Sequence, residues 1–205
     1  MKEMIPGLRF SGTAAFCLFL ALIILLAQAS GDWGQRWLRW DRGALQEFEW
    51  WRLWTGHLIH ASWPHVGLNL AGLGLVAWLF PEPVGWKGQA LRFVWLSLFI
   101  SLLMYATLPA LYWYVGLSGV LHGSFVLGLW WLWKQGDGLA ALLLALLVGK
   151  LIYEHFFGPL TSDEELVGVP VLTQAHSFGA LGAAIWLLVR WGLAKMATPA
   201  HNAPP

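Results

Sequence analysis

The chain has 205 residues, of which 58% are hydrophobic and only 11% are charged, and its formal net charge at pH 7 is +1. Soluble domains carry roughly 25% charged residues, so this composition excludes an ordinary water-soluble domain and indicates a surface that faces lipid. The small net charge provides no basic field, and we expect no nucleic-acid partner. The single cysteine, Cys17, excludes an intrachain disulfide framework and a cysteine metal cage.

Six apolar segments are long enough to cross a bilayer, since a spanning helix needs roughly 20 mostly apolar residues. In chain order they are residues 13–30, 63–80, 89–108, 116–133, 139–157 and 170–193. The sequence therefore predicts an all-α integral membrane protein, with a six-transmembrane-helix bundle over residues 1–196. Residues 197–205 are small, polar and proline-containing, and we predict a disordered tail there.

The first segment also has features of a signal peptide, because it follows Lys2 and Arg9 and ends in Ala27-Gln28-Ala29. Its apolar stretch exceeds the roughly 7–15 residues of a signal-peptide core, so we predict a retained helix. With six spans, seven of the twelve Lys and Arg residues fall on the side of the N-terminus and five on the other side. The positive-inside rule then places both termini in the cytoplasm.

The connector between the first two spans, residues 31–62, is rich in tryptophan interleaved with charges. Its tryptophans are Trp33, Trp37, Trp40, Trp50, Trp51 and Trp54. Such a segment is expected in the outer interface, with its rings toward lipid and its charges toward water. Two interpretations stay open, a simple aromatic anchor and a membrane-embedded first loop that flanks an active site.

Polar side chains inside spans are costly and indicate a functional site. They occur on the three spans that start from the non-cytoplasmic side: His65 and Asn69, Ser118 and His122, and Gln174 and His176. At about 1.5 Å per residue, Asn69, Ser118 and His176 each lie roughly 6–9 Å below the outer end of their span. If the three helices pack together, these groups converge in one shallow layer.

The residue types of this layer are those of serine-protease chemistry. A serine hydroxyl such as that of Ser118 needs a base, and His176 can take its proton and later protonate a leaving amine. The Asn69 amide, the His65 ring and the Ser118 backbone N–H are candidate donors to an oxyanion. Since no carboxylate is predicted in this layer, the sequence predicts a Ser–His dyad rather than a triad. Alternatively, a membrane serine bonds the carbonyl four residues earlier and has no catalytic role.

Glycines accompany both candidate catalytic residues: Gly116 and Gly119 flank Ser118, and Gly179 follows His176 by three residues, so neighbouring backbones can approach closely. His57, His60 and His65 raise the alternative of a metal site. No HExxH motif and no interleaved carboxylate accompany them, so we expect neither a metal nor a cofactor.

Three motifs, in order and on the expected spans, resemble those of the rhomboid intramembrane proteases. Gly116-Leu117-Ser118-Gly119 is similar to the family's GxSG, the stretch from His65 to Asn69 to HxxxN, the stretch from Ala175 to Gly179 to AHxxG, and Trp51-Arg52 to its Trp-Arg pair. The resemblance implies that Ser118 is the nucleophile and His176 the base, with His65 and Asn69 assisting the oxyanion. It also implies that the fifth span is a mobile gate and that the substrates are single-span membrane proteins cut near the outer face.

Two features resemble one subgroup, the bacterial rhombosortases: the His122-Gly123 pair and the compact length. The resemblance implies an inner-membrane enzyme that opens to the periplasm. Its substrates would be secreted proteins with a C-terminal Gly-Gly motif, a hydrophobic span and a basic tail. His122 occupies a position where many rhomboids have Tyr, and we hypothesise that it stacks on His176. The rival interpretations are a general rhomboid protease with other substrates, a catalytically silent helix-binding relative, and a small transporter or channel. The sequence gives the last of these no support, because it predicts neither buried acids nor broken helices in paired halves.

Overall fold

The computed structural model describes residues 12–159 and 167–197, and most of this part of the chain is helical. The long helices are α1 (Gly12–Ala29), α5 (Trp63–Leu79), α6 (Gly85–Thr107), α7 (Ser118–Lys134), α8 (Gly138–Phe157) and α9 (Thr173–Ala197). Each predicted apolar segment overlaps one of these helices, with bounds that differ by up to four residues. The predicted tail lies outside the described residues apart from its first residue.

Four of these helices, α1, α6, α8 and α9, are long and apolar enough to cross a membrane by length and composition. Helices α5 and α7 are shorter, at 17 residues each. The protein is therefore a multi-pass α-helical membrane protein, and a count of exactly six spans stays a prediction. Helix α8 fits a lipid-facing position, since only Ala140, Leu151 and Glu154 of its 20 residues are buried.

The connector between α1 and α5 is a folded unit. It contains the short helices α2 (Asp32–Leu38), α3 (Arg42–Gln46) and α4 (Arg52–Thr55) and the two-residue strand β1 (Trp40–Asp41). Strand β1 pairs antiparallel with β2 (Trp113–Tyr114), so that Trp40 lies opposite Tyr114. Trp40 is fully buried, whereas the side chains of Trp33, Trp37, Trp50 and Trp51 are exposed. The loop thus contributes to the core through Trp40 and presents the exposed tryptophan rings outward. The outward rings are compatible with both interpretations of this loop.

Arginine side chains fasten this loop. The guanidinium of Arg42 donates hydrogen bonds to the carbonyl oxygens of Met104, Tyr105, Leu108 and Leu111, at 2.9–3.2 Å. These carbonyls lie at and just beyond the C-terminus of α6, where the helix dipole favours a cation. Arg52 is buried and bonds Glu49 together with the carbonyls of Arg36 and Arg39.

Helices α7 and α9 pack against each other through glycines. A Cβ atom on Gly119 would lie 2.7 Å from the Ala175 carbonyl oxygen, and one on Gly123 would lie 2.7 Å from that of Gly179. A Cβ on Gly179 would in turn collide with the backbone of Gly119. Only glycine permits this approach. The contact formed by Gly119, Gly123 and Gly179, the glycine seam, places the N-terminal ends of both helices side by side.

Candidate active site

A cavity with a volume of about 830 Å³ lies among α5, α7, α8 and α9. Most of its lining is apolar. The polar side chains that reach it include His65, Asn69, Ser118, His122, Lys150 and His176. Five of the six polar residues predicted on these three helices therefore line one cavity, whereas Gln174 is exposed and is not part of its lining.

Ser118 is the first residue of α7, and the segment before it is tightly held. Gly116 has φ +118°, a conformation that side-chain-bearing residues rarely adopt. Its N–H donates to the Gly56 carbonyl at 3.0 Å, and its own carbonyl accepts a 2.9 Å bond from the Tyr114 hydroxyl. A Cβ here would also lie 2.8 Å from the His65 ring. Glycine is thus required for the turn that delivers Ser118 to the cavity.

Ser118 and His176 are in hydrogen-bond contact. The Ser118 Oγ and His176 Nε2 atoms are 3.0 Å apart, although the residues are 58 positions apart in the chain. His176 is buried and lies in the first turn of α9, next to the glycine seam. A serine hydroxyl at this distance can donate its hydrogen bond to a neutral imidazole nitrogen, as a nucleophile and base require.

The sequence-based prediction that no carboxylate lies near His176 is wrong. Glu154, on α8, places Oε2 at 3.0 Å from His176 Nδ1 and is only 2% exposed. Its other oxygen, Oε1, accepts a 2.5 Å bond from the Lys150 ammonium one helical turn earlier. Helix α8 runs opposite to α7 and α9, so Glu154, near its C-terminus, reaches the same layer as residues near the other helices' N-termini.

His122 touches the pair from one side, as hypothesised. Its ring stacks on that of His176, with centroids 4.0 Å apart and planes inclined by 12°. Its Nδ1 lies 2.8 Å from the Ser118 carbonyl oxygen, and its Nε2 lies 3.2 Å from the Lys150 ammonium nitrogen. Lys150 therefore links His122 to Glu154, and neither Lys150 nor Glu154 was among the predicted site residues.

His65 and Asn69 lie one helical turn apart on α5. The Asn69 side-chain amide donates to the His65 carbonyl oxygen at 3.0 Å, which leaves its second N–H for another acceptor. The His65 ring packs edge-on against His60, with centroids 4.8 Å apart. Both residues line the cavity that contains Ser118, and their place beside an oxyanion stays a prediction.

Two further histidines lie outside the spans, in the folded loop, and are buried. Burial lowers the pKa of His57 to about 4, although a hydrogen bond to the Ser97 carbonyl opposes the shift. Burial and the neighbouring His65 lower the pKa of His60 to about 3. Both imidazoles are therefore neutral at pH 7.

One group of described residues has the spacing of a metal site: ligand atoms of His122, Glu154 and His176 lie within 4.8 Å of one another. It does not involve the three histidines that raised this alternative. Each of its members is already hydrogen-bonded, and the Lys150 ammonium contacts two of them. The Lys150 positive charge repels a metal cation, and its hydrogen bonds occupy the atoms of His122 and Glu154 that a metal would need as ligands.

A family model for the Rhomboid domain matches residues 47–192, which include all the residues of the cavity described above. No curated protein matches the chain at a significant level. The family model covers well over half of the 205 residues and includes the sequence motifs, so the resemblance to this family is confirmed. The chain belongs to the rhomboid family, whose members are in general intramembrane serine proteases.

Proposed function

We propose that this protein is an intramembrane serine endopeptidase in which Ser118 is the nucleophile and His176 is its base. The observation that carries the proposal is the 3.0 Å contact between Ser118 Oγ and His176 Nε2 at a cavity of about 830 Å³. A serine that merely stabilised a helix would bond a carbonyl of its own helix. Ser118 begins α7 and bonds a side chain from another helix instead.

The proposed reaction is acyl transfer through a covalent intermediate. Ser118 Oγ attacks the scissile carbonyl carbon while its proton passes to His176 Nε2. The tetrahedral oxyanion is held by the Ser118 backbone N–H, which is a free first-turn donor of α7, and by the Asn69 amide and His65 ring. The C–N bond then breaks as His176 protonates the leaving amine, and water releases the acyl group by the same steps.

The proposed substrates are single-span membrane proteins, cut near the periplasmic face of a bacterial inner membrane. The apolar lining of the cavity suits an unwound membrane segment, and the excess of Lys and Arg on the side of the termini favours cytoplasmic ends. We further propose the rhombosortase role, removal of a C-terminal Gly-Gly, hydrophobic and basic sorting tail. Support for this subgroup comes from the His122-Gly123 pair.

A fluorophosphonate probe tests the nucleophile in purified protein. Wild type should be labelled, whereas Ser118→Ala should not be labelled and His176→Ala should lose on the order of 10³-fold or more in rate. Ser177→Ala, which alters the neighbouring hydroxyl on α9, is the matched control and should be labelled normally. Labelling that survives Ser118→Ala would place the nucleophile elsewhere.

A reporter cleaved in a bacterial membrane tests the substrate class. Wild-type cleavage next to the glycines of a Gly-Gly, hydrophobic and basic tail, lost in Ser118→Ala, would support the sorting role. Cleavage of an unrelated single-span substrate alone would retain the protease and reject the subgroup. Stable, folded protein that cuts neither and takes up no fluorophosphonate would favour a helix-binding relative without activity.

A further inference from the structure

The described chain contains an ion pair, Lys150–Glu154, that the proposed reaction does not use; the Glu154 side chain is buried and the Lys150 side chain is partly exposed. The two residues are one turn apart on α8, and their side chains reach His122 on α7 and His176 on α9. Helix α8 is otherwise mostly exposed. A carboxylate that is 2% exposed in a membrane protein is costly unless it is fully paired, so its position calls for an explanation.

We propose that Glu154 and Lys150 are positioning residues that hold His176 in the one tautomer able to activate Ser118. This inference rests on the proposed function, because it assigns to α8 the control of the same base. It replaces the two-residue Ser118–His176 arrangement with a Ser–His–Glu relay whose carboxylate is neutralised by a lysine.

Hydrogen-bond donors and acceptors in this network fit only one arrangement of protons. An ionised Glu154 can only accept, so His176 Nδ1 carries a hydrogen and its Nε2 is left with a lone pair that faces Ser118 Oγ. Lys150 can only donate, so His122 Nε2 accepts from it, and His122 Nδ1 donates to the Ser118 carbonyl. Every contact is satisfied with both histidines neutral, Glu154 negative and Lys150 positive.

The same arrangement prepares for the charge that develops during the reaction. When Ser118 passes its proton to Nε2, His176 becomes an imidazolium whose Nδ1–H points at the Glu154 carboxylate 3.0 Å away. The carboxylate stabilises that cation and is not itself protonated. Lys150 neutralises Glu154 at rest, which lowers the cost of burying it, and fixes the direction of both of its oxygens.

Glu154→Gln gives a sharp test, because Lys150 controls how the new amide turns. The ammonium accepts nothing, so it draws the amide oxygen and leaves the NH₂ group facing His176 Nδ1. His176 must then take its proton on Nε2, which removes the acceptor for the Ser118 hydroxyl. With Lys150→Met added, the amide is free to present its oxygen to Nδ1 and the active tautomer returns.

The experiment measures the rate of fluorophosphonate labelling in purified full-length protein, in which Ser118 Oγ bonds phosphorus, fluoride leaves and the hydroxyl proton passes to His176. Glu154→Gln should slow labelling roughly 10²-fold, in the range of general acid–base effects. The double variant Lys150→Met/Glu154→Gln should recover at least 10-fold of that loss, and Glu154→Asp should recover only part of it. Glu82→Gln, which alters a buried carboxylate paired with Arg92 outside this cavity, is the matched control and should label normally.

Each outcome decides between the alternatives. Wild-type labelling in Glu154→Gln, or a double variant that is no faster than Glu154→Gln, overturns the inference and leaves the Ser118–His176 pair intact. A wild type that is never labelled contradicts the proposed function itself. Loss of wild-type labelling in EDTA, with recovery on adding Zn²⁺, would assign His122, Glu154 and His176 to a metal and also overturn the inference.

Discussion

Replacing Gly119 by alanine tests whether the close approach of α7 and α9 sets the distance between nucleophile and base. The new Cβ would lie 2.7 Å from the Ala175 carbonyl oxygen, which is backbone of the residue before His176. Relief to an ordinary C···O contact of about 3.3 Å requires the helices to separate by roughly 0.6 Å. Transmitted to the adjacent residues, this shift lengthens the 3.0 Å Ser118–His176 contact to about 3.6 Å, beyond a hydrogen bond.

We expect Gly119→Ala to slow fluorophosphonate labelling by roughly 10- to 100-fold, since displacements near 1 Å cost up to about 10²-fold. Overpacking should also lower the free energy of unfolding in detergent by about 1–3 kcal/mol. The matched control is Gly74→Ala on α5, where the new Cβ meets no heavy atom within 4 Å, and it should change neither quantity. Wild-type labelling and stability in Gly119→Ala would refute the role given to the seam.

Two further predictions concern the loop between α1 and α5. The pKa of His57 falls from 6.5 to about 4 in the folded protein, so the unfolded chain binds a proton first and stability is lost as pH falls from 6.5 toward 4. His57→Gln should reduce the slope of unfolding free energy against pH in that window by up to about 1.4 kcal/mol per unit, and an unchanged slope in urea titrations would contradict this. Arg42→Met should lower the unfolding free energy by about 2–4 kcal/mol, because the hydrogen bonds from its guanidinium to four carbonyl oxygens are lost. The matched control Arg36→Met alters a more exposed side chain and should have little effect. Equal thermal midpoints for the two variants would show that the contacts of Arg42 contribute little.

The sequence predicts the long helices and most of the polar residues that meet at the cavity. Long apolar runs predict helices almost independently of their neighbours, because a bilayer leaves few other solutions. Ser118, His176 and Asn69 are predictable because each lies at most six residues after the start of its predicted span. The same depth estimate, counted back from the end of α8, places Glu154 roughly 5 Å below Phe157 and in the same layer. The i,i+4 pair Lys150–Glu154 inside a predicted span is the sequence feature that indicates a carboxylate in this layer.

Other contacts had no local signal. The pairing of Trp40 with Tyr114 joins residues 74 positions apart through strands of two residues, which are too short to produce an alternating pattern. The reach of Arg42 to the end of α6 likewise depends on how the loop folds back over the bundle. Such contacts follow from tertiary packing, and only coordinates reveal them.

The Arg42 contacts have a mechanical consequence for the whole molecule. They bind the outer loop to the end of α6, the β1–β2 pair binds it to the segment before Ser118, and the glycine seam joins α7 to α9, so these parts form one connected unit. Helix α8 packs against this connected unit. Its side-chain hydrogen bonds to the other described helices come from Lys150 and Glu154. If α8 moves outward to admit a substrate, the Glu154 carboxylate moves away from His176 with it. By the inference above, Ser118 then regains its full nucleophilicity only when α8 returns.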